Sequence, residues 1–151
     1  MTVLKKGSVL EITPHSEWAQ KFWDDLIPAK ERVSQHPLFI GMATGKLNIR
    51  CFRGALLNFY PLVAQFPSYM ALALAKATQF NEAGVVESRD WLIQNLKVEE
   101  RHLSWYRDWA YGFGVTLEEL DQITPPPAMN AVNHFLWSIN YRGSLPESLA
   151  A

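Results

Sequence analysis

Glu99-Glu100-Arg101-His102 sets a carboxylate and an imidazole three residues apart. On a helix this spacing puts both side chains on one face, a turn apart, which is how bundle proteins offer two ligands to one metal ion. The surrounding pattern is that of a core-facing helix. Leu92, Leu96, Glu99, Leu103, Tyr106, Ala110 and Phe113 follow one another at steps of 4, 3, 4, 3, 4 and 3, so Glu99 stands where Leu is expected. A second track beside it runs Asn95, Glu99, His102, Tyr106 and Trp109. Both tracks predict that Glu99 and His102 point inward. A buried carboxylate needs a cation, a proton or a dense set of hydrogen bonds. The same spacing also suits a plain intrahelical ion pair worth about 0.2–0.5 kcal/mol.

Other reactive side chains have blander readings. Glu100 shares a track with Ile93, Lys97, Ser104 and Arg107, which makes it a solvated charge pairing with Lys97 or Arg107. Cys51 has no neighbouring His or acid and reads as a small buried hydrophobe. His134 lies between Asn133 and Phe135 in a helical stretch, where a satisfied core or interface histidine competes with a site role. Tyr60, Phe66, Tyr69, Tyr106 and Trp109 are either core aromatics or the wall of an aromatic pocket.

The elements that must position these groups are helices. Thr13 before Pro14 reads as an N-cap opening an amphipathic stretch through Trp18, Phe22, Leu26 and Val33, with Pro28 inside it. His36-Pro37 and the glycines at 41 and 45 read as a connector. A long second helix is predicted from about Asn48 to Ala77, with Pro61 and Pro67 each removing a backbone hydrogen bond and bending it. Residues 81–84 form a turn, and a third helix from about Val85 to Tyr111 carries the Glu-x-x-His pair, closed by Gly112 and Gly114. Thr116 to Glu119 is a capping box opening a short helix that ends before Pro125, and a further helix spans about Met129 to Tyr141. No alternating strand pattern, hairpin signal or internal repeat is present. The fold class is therefore all-α.

Composition bounds the rest. A chain of 151 residues, 48% hydrophobic, is one domain (1–151) with enough length for a real core. A net charge of −1 gives no electrostatic basis for binding nucleic acid or an anionic membrane. The longest apolar run, Tyr69 to Ala75, stops at Lys76, far short of a membrane span. Residues 1–7 lack the apolar core of a secretory signal, and a single cysteine excludes an intrachain disulfide and fits a reducing, cytoplasmic setting. Ser144 to Glu147 is another capping box, followed only by residues 148–151. One turn does not hold itself up in water, so the expectation is a C-terminally truncated polypeptide.

Several of these stretches together resemble a known family. His36-Pro37-Leu38-Phe39, Gly45-Lys46-Leu47, Phe52 and the segment from Phe59-Tyr60-Pro61-Leu62 to Phe66-Pro67-Ser68-Tyr69-Met70 resemble the opening helices of TenA/PqqC-like proteins of the heme-oxygenase-like superfamily. Glu99-x-x-His102 followed by Trp105, Trp109-Ala110, Gly112 and Gly114-Val115 looks like the third helix of the CADD/UndA branch. Asn133-His134-Phe135-Leu136, Gly143-Ser144 and Leu149-Ala150-Ala151 are similar to the next helix junction. The resemblance covers nearly the whole chain from about residue 15.

It implies a heme-oxygenase-like multi-helix bundle, here apparently lacking its C-terminal helices. For the CADD/UndA branch it implies a non-heme iron or di-iron centre that turns dioxygen on a small organic substrate. Glu99 and His102 match the branch's third-helix ligands, and the remaining ligands belong to helices beyond Ala151. The implied substrate pocket draws on Tyr60, Phe66, Tyr69, Tyr106, Trp109 and His134. No heme and no nucleotide cofactor is expected. Heme oxygenases bind heme through a histidine near the N-terminus, where only His15 or His36 is available, and His36 precedes Pro37 in a connector. TenA thiaminases typically carry an acid where Asn58-Phe59-Tyr60 stands, and Cys51 does not match their nucleophile. PqqC-like oxidases use a basic, polar pocket that this chain does not display. The alternative is a metal-free relative or a non-catalytic helical binding module. Loss of covering helices would bare Leu56, Phe59, Leu92 and Tyr106, so a homodimer or higher species is expected.

Overall fold

The computed structural model describes residues 16–151, and every regular element among them is α-helical. The Thr13-Pro14 start and His15 lie outside the described residues. The chain divides into two compact units, Met1–Lys46 and Leu47–Ala151.

In the first unit, α1 spans Glu17–Ser34 and α2 spans Pro37–Ala43. Ser16 stands at the N-cap of α1 in extended conformation, and the helix continues unbroken through Pro28. The expected connector after His36 is instead a helix. His36 is its N-cap, with ring Nδ1 accepting from the Leu38 N–H at 3.2 Å, and Pro37 supplies the preset φ of the first turn. The left-handed Gly45 (φ +66°) follows the end of α2.

The second unit is built around α3, Ile49–Lys76. Asn48 caps it by accepting from the Arg50 N–H at 2.8 Å, and the helix runs on through Pro61 and Pro67. α4 spans Val85–Gly112, entered through Gly84 at φ +81°. α5 (Leu117–Asp121), α6 (Pro127–Arg142) and α7 (Leu145–Ala150) complete it. The capping boxes at Thr116 and Ser144 form with both reciprocal bonds.

α3 packs on α4, α5, α6 and α7. The start of α3 meets the end of α4, so these two helices run antiparallel. Phe52 packs edge-on against Trp109 and Phe113, with ring centroids 5.5 and 4.4 Å away. Arg53 closes the α4 terminus, donating to the Phe113 and Gly114 carbonyls and to Glu119. Leu56, Tyr60, Ala110, Val115 and Leu120 form the buried core there. On its other side α3 runs parallel to α6: Tyr69 meets Asn133 and Trp137, and a turn or two later Lys76 meets Ile139 and Gly143. Leu56 and Leu92 are 3% and 1% exposed, so two of the faces expected to be bare are covered. Phe59, at 38%, does face solvent. No helix among the described residues is long and apolar enough to cross a membrane.

Candidate metal centre

α4 positions both members of the Glu-x-x-His pair. Leu92 and Ala110 mark the fully buried line of this helix, and Glu99 lies on it with a side chain 20% exposed. His102 is 44% exposed. The inward orientation expected for both holds only for Glu99, because residues three apart on a helix differ by about 60° and the second falls on the shoulder of the stripe. The His102 ring is tilted against Trp105, centroids 5.5 Å apart.

His102 Nδ1 and Glu99 Oε2 are 3.0 Å apart. Two arrangements fit this separation. Bonds of about 2.1 Å at right angles on a first-row divalent metal place neighbouring N and O donors about 3 Å apart, so the pair can chelate one ion. Alternatively, the protonated Nδ1 donates to the carboxylate, which fixes the ring and leaves Nε2 as the metal ligand. An imidazole with a carboxylate is the donor chemistry of non-heme iron. The donor count is two, since no group of three or more His, Cys, Asp or Glu side chains suited to a metal exists among the described residues. The donor chemistry is compatible with iron, and the described residues would supply two of the donors such an ion needs.

The six expected pocket residues fall into three places. Tyr60, Tyr106 and Trp109 form an aromatic wall between α3 and α4, with Tyr106 6.1 Å from Tyr60 and 5.9 Å from Trp109 between ring centroids. Tyr106 donates to the Leu56 carbonyl at 2.6 Å, and burial pushes its phenol up to about 12. Tyr60 OH accepts from Arg107 Nη2 at 2.7 Å and donates to Asp121 at 3.1 Å. Phe66 and Tyr69 instead line a cavity of about 620 Å³ between α3 and α6, with Leu62, Val132, Phe135 and Leu136. Tyr69 OH donates to Asn133 Oδ1 at 3.1 Å, and burial raises its pKa. His134 sits apart, in an open hollow on α6 with Trp137 and Tyr141.

Two readings of single residues are corrected. Cys51 is exposed, because it lies on the solvent side of the first turn of α3. Arg107 does not serve Glu100; it turns to Tyr60 and lies 3.9 Å from Asp121. Sequence reasoning passed over Asn133 and Asn140, which are 8% and 4% exposed. Their spacing with Leu136 (133, 136, 140) is that of a core stripe, the signal that would have found them.

Comparison with known proteins agrees with this architecture. A TenA homolog from Pseudomonas syringae pv. tomato str. DC3000 superposes with a TM-score of 0.85 at 33% identity, covering all of this chain and 62% of that one. A 4-aminobenzoate synthase of Chlamydia trachomatis serovar D is 24% identical over 111 residues, 71% of this chain and 46% of the relative. The protein of the same name from Chlamydia muridarum is 23% identical and is covered to 44%. The chain thus spans less than half the length of these curated relatives. The TENA/THI-4/PQQC family model matches residues 23–151, and the chain belongs to that family.

Proposed function

We propose that this chain carries one helix's share of a non-heme iron site, mono- or di-iron, of the CADD/UndA kind, in an oxidase or oxygenase that uses dioxygen on a small organic substrate. The observation that carries the reading is the 3.0 Å Glu99–His102 pair on a half-buried helix face. The name of the curated relatives, 4-aminobenzoate synthase, gives a small aromatic acid as what those proteins make, and supports a small organic molecule as the product class here.

Glu99 and His102 would hold the iron, directly or with Glu99 orienting the imidazole. Iron bound there supplies the one-electron chemistry that lets dioxygen oxidise an organic molecule. Glu99 contributes negative charge from a position where solvent competes weakly, and His102 faces the open side. Tyr106, tied to α3 through the Leu56 carbonyl, fixes the height of the pair on α4 relative to α3. Its phenol stays protonated at neutral pH, so it donates a hydrogen bond and is no base. The positions the two donors leave open are available to water, substrate or donors beyond the described residues.

Iron content after anaerobic reconstitution tests the reading. Iron bound by the unaltered chain and lost in both Glu99→Ala and His102→Ala supports it. Iron unaffected by either change, or absent throughout, favours a metal-free family member or a non-catalytic helical binding module.

A further inference from the structure

We propose that Tyr60 is a one-electron redox site, with Tyr106 as the relay that leads to it. A phenol that loses an electron becomes a strong acid, so it is oxidised readily only where a base waits for its proton. Among the described residues Tyr60 is the one tyrosine hydrogen-bonded to a carboxylate: its hydroxyl donates to Asp121 Oδ1 at 3.1 Å. Tyr69 donates to the amide oxygen of Asn133, and Tyr106 to the Leu56 main-chain carbonyl. Neither of those acceptors takes up a proton in neutral water. Tyr60 is also buried, at 5% exposure, in the core around Leu56.

The charges around Tyr60 suit a neutral radical. Arg107 Nε and Nη2 both donate to the phenol oxygen, at 3.1 and 2.7 Å, and Arg107 lies 3.9 Å from Asp121. When a one-electron oxidant takes an electron, the Tyr60 O–H bond breaks and the proton passes to Asp121, whose side chain is 55% exposed and releases it to water. The products are the reduced oxidant, a neutral phenoxyl radical still held by Arg107, and the restored Arg107–Asp121 pair. No net charge is left in the core. At Tyr106 the same loss strands a cation on a hydroxyl that faces a carbonyl. The Tyr106 ring therefore passes the electron deficit on, with its centroid 6.1 Å from that of Tyr60 and 5.9 Å from that of Trp109. Tyr106 stands one turn from His102, and a role in drawing off oxidising equivalents that miss the substrate rests on the iron reading above.

Photo-oxidation of the iron-free chain by ruthenium(III) tris-bipyridine, followed by freezing and electron paramagnetic resonance, tests the site independently of that reading. Tyr111→Phe/Tyr141→Phe serves as the starting protein, since both phenols are 75% exposed and meet the oxidant directly. The expected result is a phenoxyl radical that Tyr60→Phe abolishes and Tyr69→Phe leaves in place. Asp121→Ala should slow its formation about tenfold or more, and added acetate, a substitute base, should restore the rate. A merely structural loss shows no such rescue. Tyr106→Phe keeps the ring but removes the relay, and should also delay the radical. Absence of a phenoxyl signal, or one that survives Tyr60→Phe, overturns the proposal. An unaltered rate in Asp121→Ala overturns the proton path, and an unaltered rate in Tyr106→Phe overturns the relay.

Discussion

The Tyr106 hydroxyl donates to the main-chain carbonyl of Leu56 across 2.6 Å, joining the helix that carries the Glu-x-x-His pair to the central helix of its unit. The bond lies one turn beyond His102 and fixes α4 in both height and rotation against α3. It is one of the contacts that position the Glu99–His102 pair relative to the core.

Tyr106→Phe removes this bond while keeping the ring, and should cost about 1 kcal/mol in urea unfolding. The pH dependence distinguishes it from a packing change. Burial raises the folded phenol to about 12 from its ordinary 10.0, so the stabilising contribution is full below pH 10 and is lost as pH rises towards 12. Unaltered protein should lose stability over that window, and Tyr106→Phe should lose less. Equal slopes would count against the linkage.

Lys76→Met tests how the end of the unit is held. The ammonium donates to the Ile139 and Gly143 carbonyls at 3.2 and 2.6 Å and to Ser148 Oγ at 2.7 Å, closing α6 and docking α7. A six-residue helix is unstable alone, so α7 depends on this contact. The variant should lose about 2–3 kcal/mol, and amide exchange over residues 145–150 should approach that of free peptide.

At the α4–α5 junction, Glu119 is held below the ordinary carboxylate range chiefly by the Thr116 N–H; desolvation opposes this, and the Thr116 hydroxyl and Arg53 add smaller lowering contributions. Its contribution is therefore present above the ordinary carboxylate pKa and is lost as pH falls through the lowered folded value. Glu119→Gln should flatten the acid limb of a stability–pH profile. Thr116→Ala should cost about 1 kcal/mol at neutral pH through loss of the cap.

These contacts also mark where the sequence was legible. α3 was readable to within a residue because Asn48 is an unambiguous cap and apolar periodicity carries on through Pro61 and Pro67. The boxes at Thr116 and Ser144 were readable because each signature involves two residues satisfying each other. α2 was not, since a histidine cap and two glycines look like a loop until the Leu38 N–H finds the ring. Glu99-x-x-His102 was legible as a helical pair, but the outward turn of His102 was not. Whether the shoulder of a stripe faces core or water depends on which helix lies opposite, and periodicity does not encode that.

Glu99→Leu puts the expected residue into the stripe and separates stability from function. The side chain is 20% exposed and its partner in the structure is His102, so most of its desolvation is met by a single hydrogen bond. Leucine there should gain apolar burial against Leu96 and Leu103 and stabilise the metal-free protein by about 1 kcal/mol, raising Tm by about 3 °C. The same change removes one donor and frees the imidazole that Glu99 orients, so iron uptake should fall at least tenfold. A residue that costs stability in the absence of metal and is required for binding it has the thermodynamic signature of a ligand. If instead Glu99→Leu lowers Tm, the carboxylate is stabilising the fold on its own account, and the plain intrahelical ion pair suffices to explain Glu-x-x-His.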